Sequence, residues 1–181
     1  MLRTIIQLLS CIYISHRCED FLITTNFLRM ETNKELIKHL NELLEKNIDA
    51  VRGYKEAADD VKNPSLKTFL ERNASARQSF TQDLRQEIVS LGGDPKDDTS
   101  VAADLHRGWI NFKSAIAGHD EESVLEECIR GEEAALSEYD DVMKDYEIPQ
   151  GLRNKIQTQR DQIQQNHTEL KSLELQADRH N

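Results

Sequence analysis

Four stretches of the chain repeat apolar side chains at steps of three and four, and each predicts a long amphipathic helix. The first runs from about Asn33 to Val61 on Leu36, Leu40, Leu43, Leu44, Ile48, Val51, Tyr54, Ala58 and Val61. Thr32 or Asn33 is placed to cap it. The run Lys62-Asn63-Pro64-Ser65 stops it, because a residue before proline avoids the helical region. The second helix opens at Pro64 or Ser65 and ends at Gly92-Gly93, with Leu66, Phe69, Leu70, Phe80, Leu84, Ile88 and Leu91 on its stripe. The third follows a cap at Asp120 and runs to about Tyr146 along Val124, Leu125, Cys128, Ile129, Glu132, Ala135, Leu136, Tyr139, Val142 and Met143. The fourth, from about Pro149 to Ala177, uses Leu152, Ile156, Ile163, Leu170 and Leu173. A shorter helix is expected from Ser100 to about Ala117, on Val101, Leu105, Trp109, Phe112 and Ile116. Two tight turns and one long connection carrying a short extra helix predict an all-α four-helix bundle of two hairpins with one crossover.

The stripes are not apolar throughout. Between Leu70 and Phe80 the second helix offers Asn73, Ala76 and Arg77; the third carries Glu132, and the fourth Gln159 and His167. Turn centres near residues 63 and 148 put Asn47 level with Ser79 and Glu132 level with Gln164. The polar interruptions are therefore expected to meet in one layer made of Asn47, Arg77, Ser79, Glu132, Gln164 and His167. A carboxylate on a buried stripe is expensive unless a metal, a basic side chain or a water-lined gap compensates it.

Composition narrows the classes. Charged residues make up 31% and aromatics 6%, with seven glycines and three prolines, which suits long wet helices and leaves too few turns for a β-sandwich. The net charge of −10 repels nucleic acid and anionic membranes. Cys11, Cys18 and Cys128 make no disulfide framework or Cys-x-x-Cys motif, so a reducing, cytoplasmic setting is the expectation. Residues 1–29 read differently from the rest. They are expected to be upstream frame ahead of a true start at Met30, or a poorly ordered extension, with the bundle domain over 30–178. A secretory signal or anchor, and hence export or membrane attachment, is the alternative. The apolar run from Thr4 to Ser15 falls far short of the roughly 20 residues of a membrane-spanning helix.

The stretches LNELLEKNIDAVRGYKEAAD, FLERNASARQSF and GEEAALSEYDDVM, with the likeness between the two hairpins, resemble the ferritin-like superfamily. The resemblance is to a bacterial four-helix-bundle domain of unknown function within it and covers residues 33–175. In ferritins and rubrerythrin-like proteins, the first helix of each pair carries a ligand Glu two turns before a Tyr, and the second carries Glu-x-x-His. Here Tyr54 is preceded at that distance by Asn47, and Ala76-Arg77-Gln78-Ser79 stands at the Glu-x-x-His place. Tyr139 has its Glu132, and Gln164-Gln165-Asn166-His167 keeps only the histidine. Tyr54 and Tyr139 are then candidates to support the layer.

Two of six ligand positions do not hold a di-iron pair, which needs bridging carboxylates. The expectation is a layer without a cofactor in which Arg77 reaches Glu132. The alternative is iron or another divalent metal between Glu132 and His167. His39, His106 and His119 are scattered, with no ligand at i+3 or i+4 that would complete a site, and the acidic run 120–127 lacks the pattern of a calcium loop. The reading leans away from an enzyme and toward self-association or a protein partner, with a role in stress as fold-level analogy only. If Arg77 relaxes to water, Glu132→Leu is expected to be tolerated.

Overall fold

The computed structural model describes residues 33–96, 121–145 and 148–177. The chain divides into two compact units. Of the first, Met1–Leu36, one helical turn over 33–36 is described; the second, Ile37–Asn181, contains all the packing discussed below. Four helices and no strand occur among the described residues: α1 over 33–60, α2 Pro64–Ser90, α3 Glu121–Asp145 and α4 Gln150–Ala177. The expected helix over 100–117, the caps at Thr32 and Asp120, and the segment 1–29 lie outside the described residues. None of the described helices is long and apolar enough to cross a membrane.

Local chemistry sets the ends of α2. Asn63 is extended (φ −72°, ψ 116°), and its side-chain oxygen accepts from the amides of Ser65 and Leu66 at 3.0 and 3.3 Å. Two of the amides left open at a helix start are thereby satisfied, and Pro64 needs none. The backbone N–H of Asn63 donates to Glu121 at the head of α3, 3.1 Å away. At the other end Gly92 takes φ +82°, where a side chain would be strained. The amide of Gly92 bonds to the Val89 carbonyl and that of Gly93 to the Ile88 carbonyl, the six-to-one and five-to-two pattern of a glycine C-cap. A Cβ at Gly93 would meet Ile37 Cγ2 at 2.6 Å, so any side chain there would force Ile37 to shift where the chain leaves α2 close against α1. Asn41 then holds the exit, donating to the Asp94 carbonyl at 3.3 Å and accepting from the Lys96 amide at 2.7 Å.

Cross-helix contacts give the directions. Tyr54 meets Glu132 and Asn47 meets Tyr139, so α1 and α3 run antiparallel. Arg72 pairs with Glu169 and Lys155 with Glu87, so α2 and α4 are antiparallel as well. With each hairpin antiparallel inside itself, the order is up, down, down, up, the arrangement of a bundle with one long crossover.

The two hairpins repeat each other. Moving 85 positions along carries Leu40, Asn47 and Tyr54 of α1 onto Leu125, Glu132 and Tyr139 of α3, all buried. Moving 86 carries Leu66, Leu70, Arg77 and Leu84 of α2 onto Leu152, Ile156, Ile163 and Leu170 of α4, again all buried. One apolar cluster fills the end near the α1–α2 turn, with Ala57, Leu66, Phe69, Leu70, Leu125, Ile129 and Leu170 in it. Toward the opposite end Leu40, Leu44, Leu84, Ile88, Val142 and Ile156 are also buried. Full burial of each such leucine or isoleucine contributes about 1.5–3 kcal/mol. Between the two apolar ends lies the polar layer. Because the Asn63 cap satisfies two amides, Asn63→Ala is expected to destabilise the protein by about 1 kcal/mol, or about 2–4 °C in a calorimetric melt. An unchanged melting point would remove the cap from this account.

Candidate functional site

All four helices contribute to one continuous chain of buried hydrogen bonds. The Tyr54 hydroxyl donates to Glu132 Oε1. Arg77 Nη2 donates to Glu132 Oε2 at 2.7 Å, and Nη1 to Asn47 Oδ1 at 2.9 Å. Asn47 Nδ2 donates to the Leu43 carbonyl at 2.7 Å and to the Tyr139 hydroxyl at 2.9 Å. Tyr139 in turn donates to Gln159 Oε1 at 2.9 Å, and Gln159 Nε2 reaches Asp83 Oδ2 at 3.4 Å, near the surface. Arg77 and Glu132 are 1% and 2% exposed, and they are the charged side chains buried among the described residues.

Arg77 sets the sense of the whole chain. A guanidinium has donors and no acceptor, so Asn47 must turn its oxygen toward it and its amide away. That amide donates to Tyr139, which leaves the phenol proton for Gln159, and the Gln159 amide for Asp83. Donation therefore runs outward from one cation to a carboxylate at each end, Glu132 directly and Asp83 through three side chains. The Arg77 guanidinium also lies 5.9 Å from the centre of the Phe80 ring.

The electrostatics follow from burial. Desolvation alone would lower the Arg77 guanidinium, but the Glu132 carboxylate and the neighbouring phenols reverse this and hold it above its ordinary value. Burial pushes the Tyr54 hydroxyl well above the usual phenol range, and the Glu132 carboxylate adds to the shift. Burial pushes Tyr139 up to about 12, against the pull of Arg77 and the Asn47 bond. The free Cys128 thiol, buried beside Glu132, is likewise pushed up, which keeps it a packed apolar group.

The layer brings together Asn47, Arg77 and Glu132, with Tyr54 and Tyr139 joined to them. It does not include Ser79, Gln164 or His167. Ser79 is exposed, Gln164 is only half-buried, and His167, also half-buried, is turned toward Glu133, 3.1 Å away, with Lys171 on the same carboxylate at 3.0 Å. Register explains all three. On α2 the inward pair is Arg77 and Phe80, one residue later than Ala76 and Ser79. On α4 the inward pair is Ile163 and Asn166, one residue earlier than Gln164 and His167. Gln159, Asn166 and Asn73 are buried polar residues absent from the expected layer, although Gln159 and Asn73 stand on their stripes. The buried positions of α4 are 152, 156, 159, 163, 166 and 170, so a strict alternation of fours and threes finds Asn166 where a second step of four finds His167.

A divalent metal does not fit this donor set. Tyr54 covers one Glu132 oxygen and a guanidinium the other, and a fixed cation repels a second one. Among the described residues no three His, Cys, Asp or Glu side chains stand where they could hold a metal ion. His167 faces Glu133, so the alternative pair of Glu132 and His167 is not assembled.

Fold and layer together define an all-α four-helix bundle with a buried ion pair in its core. Residues 35–145 match the family described as a domain of unknown function, DUF2383, and the chain belongs to that family. The match spans α1 to α3, including Asn47, Tyr54, Arg77, Glu132 and Tyr139, and stops before α4. No curated protein matches the chain.

The expectation that Glu132→Leu is tolerated does not survive this geometry. Arg77 is 1% exposed, so removing Glu132 leaves a buried charge without its carboxylate. The expected loss is about 3–5 kcal/mol by denaturant unfolding, and a loss below about 1 kcal/mol would contradict it. A second expectation concerns pH. Because the folded Tyr139 pKa is raised, the stability it confers is complete below the ordinary phenol value of 10.0 and is lost as pH rises toward about 12. The unfolding midpoint should fall over that window, with the tyrosinate absorbance of these two phenols appearing together with unfolding. Their ionisation at pH 10 in a folded protein would contradict the burial.

Proposed function

We propose that the protein is a non-catalytic, ferritin-like bundle in which an internal ion pair stands where relatives with metal chemistry would place a metal. It acts through helix packing, with a second copy of itself or a protein partner, and needs no resident cofactor in this layer. The observation that carries the reading is the Arg77 guanidinium seated on Glu132 Oε2 at 2.7 Å, with Tyr54 on the other oxygen. An active di-iron or ferroxidase layer needs those oxygens free for metals and an open face for oxygen. The pair instead consumes the carboxylate at the centre of the bundle. A layer of this kind adds little net stability but holds helices to one register.

Elemental analysis of protein purified without chelator tests the reading. Iron, manganese and zinc are each expected well below one per chain, and unchanged in Glu132→Gln. One metal per chain that disappears in the variant would contradict the proposal.

A further inference from the structure

Among the described residues, three buried side-chain atoms have no hydrogen-bond partner: Arg77 Nε, Asn166 Nδ2 and Glu138 Oε2. Glu138 is half-buried and already meets Lys46 through its other oxygen at 3.1 Å. The other two lie deep, on side chains 1% and 6% exposed, and both are donors. Two registers bring them to one level. Glu133 meets His167 and Asp140 meets Arg160, so Asn166 of α4 stands level with Glu132 of α3. Arg72 meets Glu169 and Asp83 meets Gln159, which puts Asn166 within two residues of Arg77 of α2, about 3 Å along the axis. Asn166 thus flanks the ion pair from α4, as Asn47 and Tyr54 flank it from α1.

We infer that this level of the bundle is a binding site for one internal water molecule, which accepts from Arg77 Nε and Asn166 Nδ2 and donates to Glu132. A buried donor without an acceptor is costly, the more so on a charged group. The ligand is an acceptor because both groups donate. It is neutral because Glu132 already balances Arg77, and an anion would bring uncompensated charge into the core. A carboxylate offers about four lone-pair positions, and Tyr54 and Arg77 Nη2 take two of those on Glu132, so it can accept from water as well. The water then makes about three bonds, the usual number for a buried one. Packing alone does not call for an amide at this place. Phe80 holds the corresponding position on α2, where an apolar side chain serves. The water also gives α4 its own tie to the ion pair, which it otherwise reaches through Gln159, two turns earlier in the helix. This inference goes beyond the self-association reading and holds whatever the protein's partner is.

NMR on the isotope-labelled full-length protein, with Asn166→Leu beside it, tests the site. In the parent, the Arg77 Nε–H and the Asn166 side-chain N–H are each expected to show a rotating-frame cross-peak to water with the sign of dipolar contact rather than exchange. In Asn166→Leu the Arg77 cross-peak should disappear, and the melting point should fall by about 2–6 °C because Arg77 Nε loses its acceptor. Dry packing predicts the reverse, with no water cross-peak at Arg77 in the parent and a leucine variant that melts higher. A direct bond from Arg77 Nε to a turned Asn166 amide predicts a parent spectrum with no water at Arg77. A shift of the Arg77 Nε resonance with chloride at constant ionic strength would make the acceptor an anion. Each of these three results overturns the proposal, and the parent spectrum decides even where Asn166→Leu fails to fold.

Discussion

The contact between Arg77 and Glu132 is the constraint on which the rest of the layer depends. Each is about as buried as a core leucine, and each would be intolerable there without the other. The pair links α2 to α3, across the hairpins, and the outward run of donors from Arg77 then ties α1 and α4 into the same plane. Apolar contacts above and below supply most of the favourable free energy, but they are periodic and tolerate a slip by one turn. The pair does not. A shift of 5.4 Å along α2 or α3 would strand either the guanidinium or the carboxylate.

This division of labour explains why so polar a layer persists in a bundle core. Well-packed hydrophobic residues of similar volume in place of a buried ion pair are often neutral or stabilising. The benefit of the pair lies in selecting one arrangement among several that would bury similar apolar area. The internal repeat is partial: Leu66, Leu70 and Leu84 of α2 recur as Leu152, Ile156 and Leu170 of α4, whereas Phe69 and Phe80 correspond to Lys155 and Asn166. At the layer the repeat makes Asn47 correspond to Glu132 and Arg77 to Ile163, so the two buried charges fall on different hairpins.

The four helices were legible because their stripes are long and punctuated. Pro64, the Gly92-Gly93 pair and Pro149 mark ends that local geometry enforces, and the observed bounds differ from the expected ones by a residue or two. The pairing of Arg77 with Glu132 was legible too, because both stand on stripes and carry opposite charge. What was not legible was rotation about the helix axis where the apolar pattern lapses. Between Leu70 and Phe80, and again between Ile163 and Leu170, a step of three and a step of four fit the sequence equally well. One residue is 100° of rotation, enough to send Ser79 to the outside, turn His167 away from the layer toward Glu133 and bring Asn166 in. The hydrogen bonds of Gln159 were hidden for a different reason: its role follows from the amide orientation that Arg77 imposes two side chains away.

The measurement that bears most directly on this account is a double-mutant cycle on Arg77→Met and Glu132→Leu, read by denaturant unfolding. If the two residues form one buried ion pair, the double variant should be more stable than either single variant. The coupling energy should then be about 2 kcal/mol or more. Losses that add to within about 0.5 kcal/mol would mean that the two side chains act independently, and the pair could no longer be what holds the four helices in register.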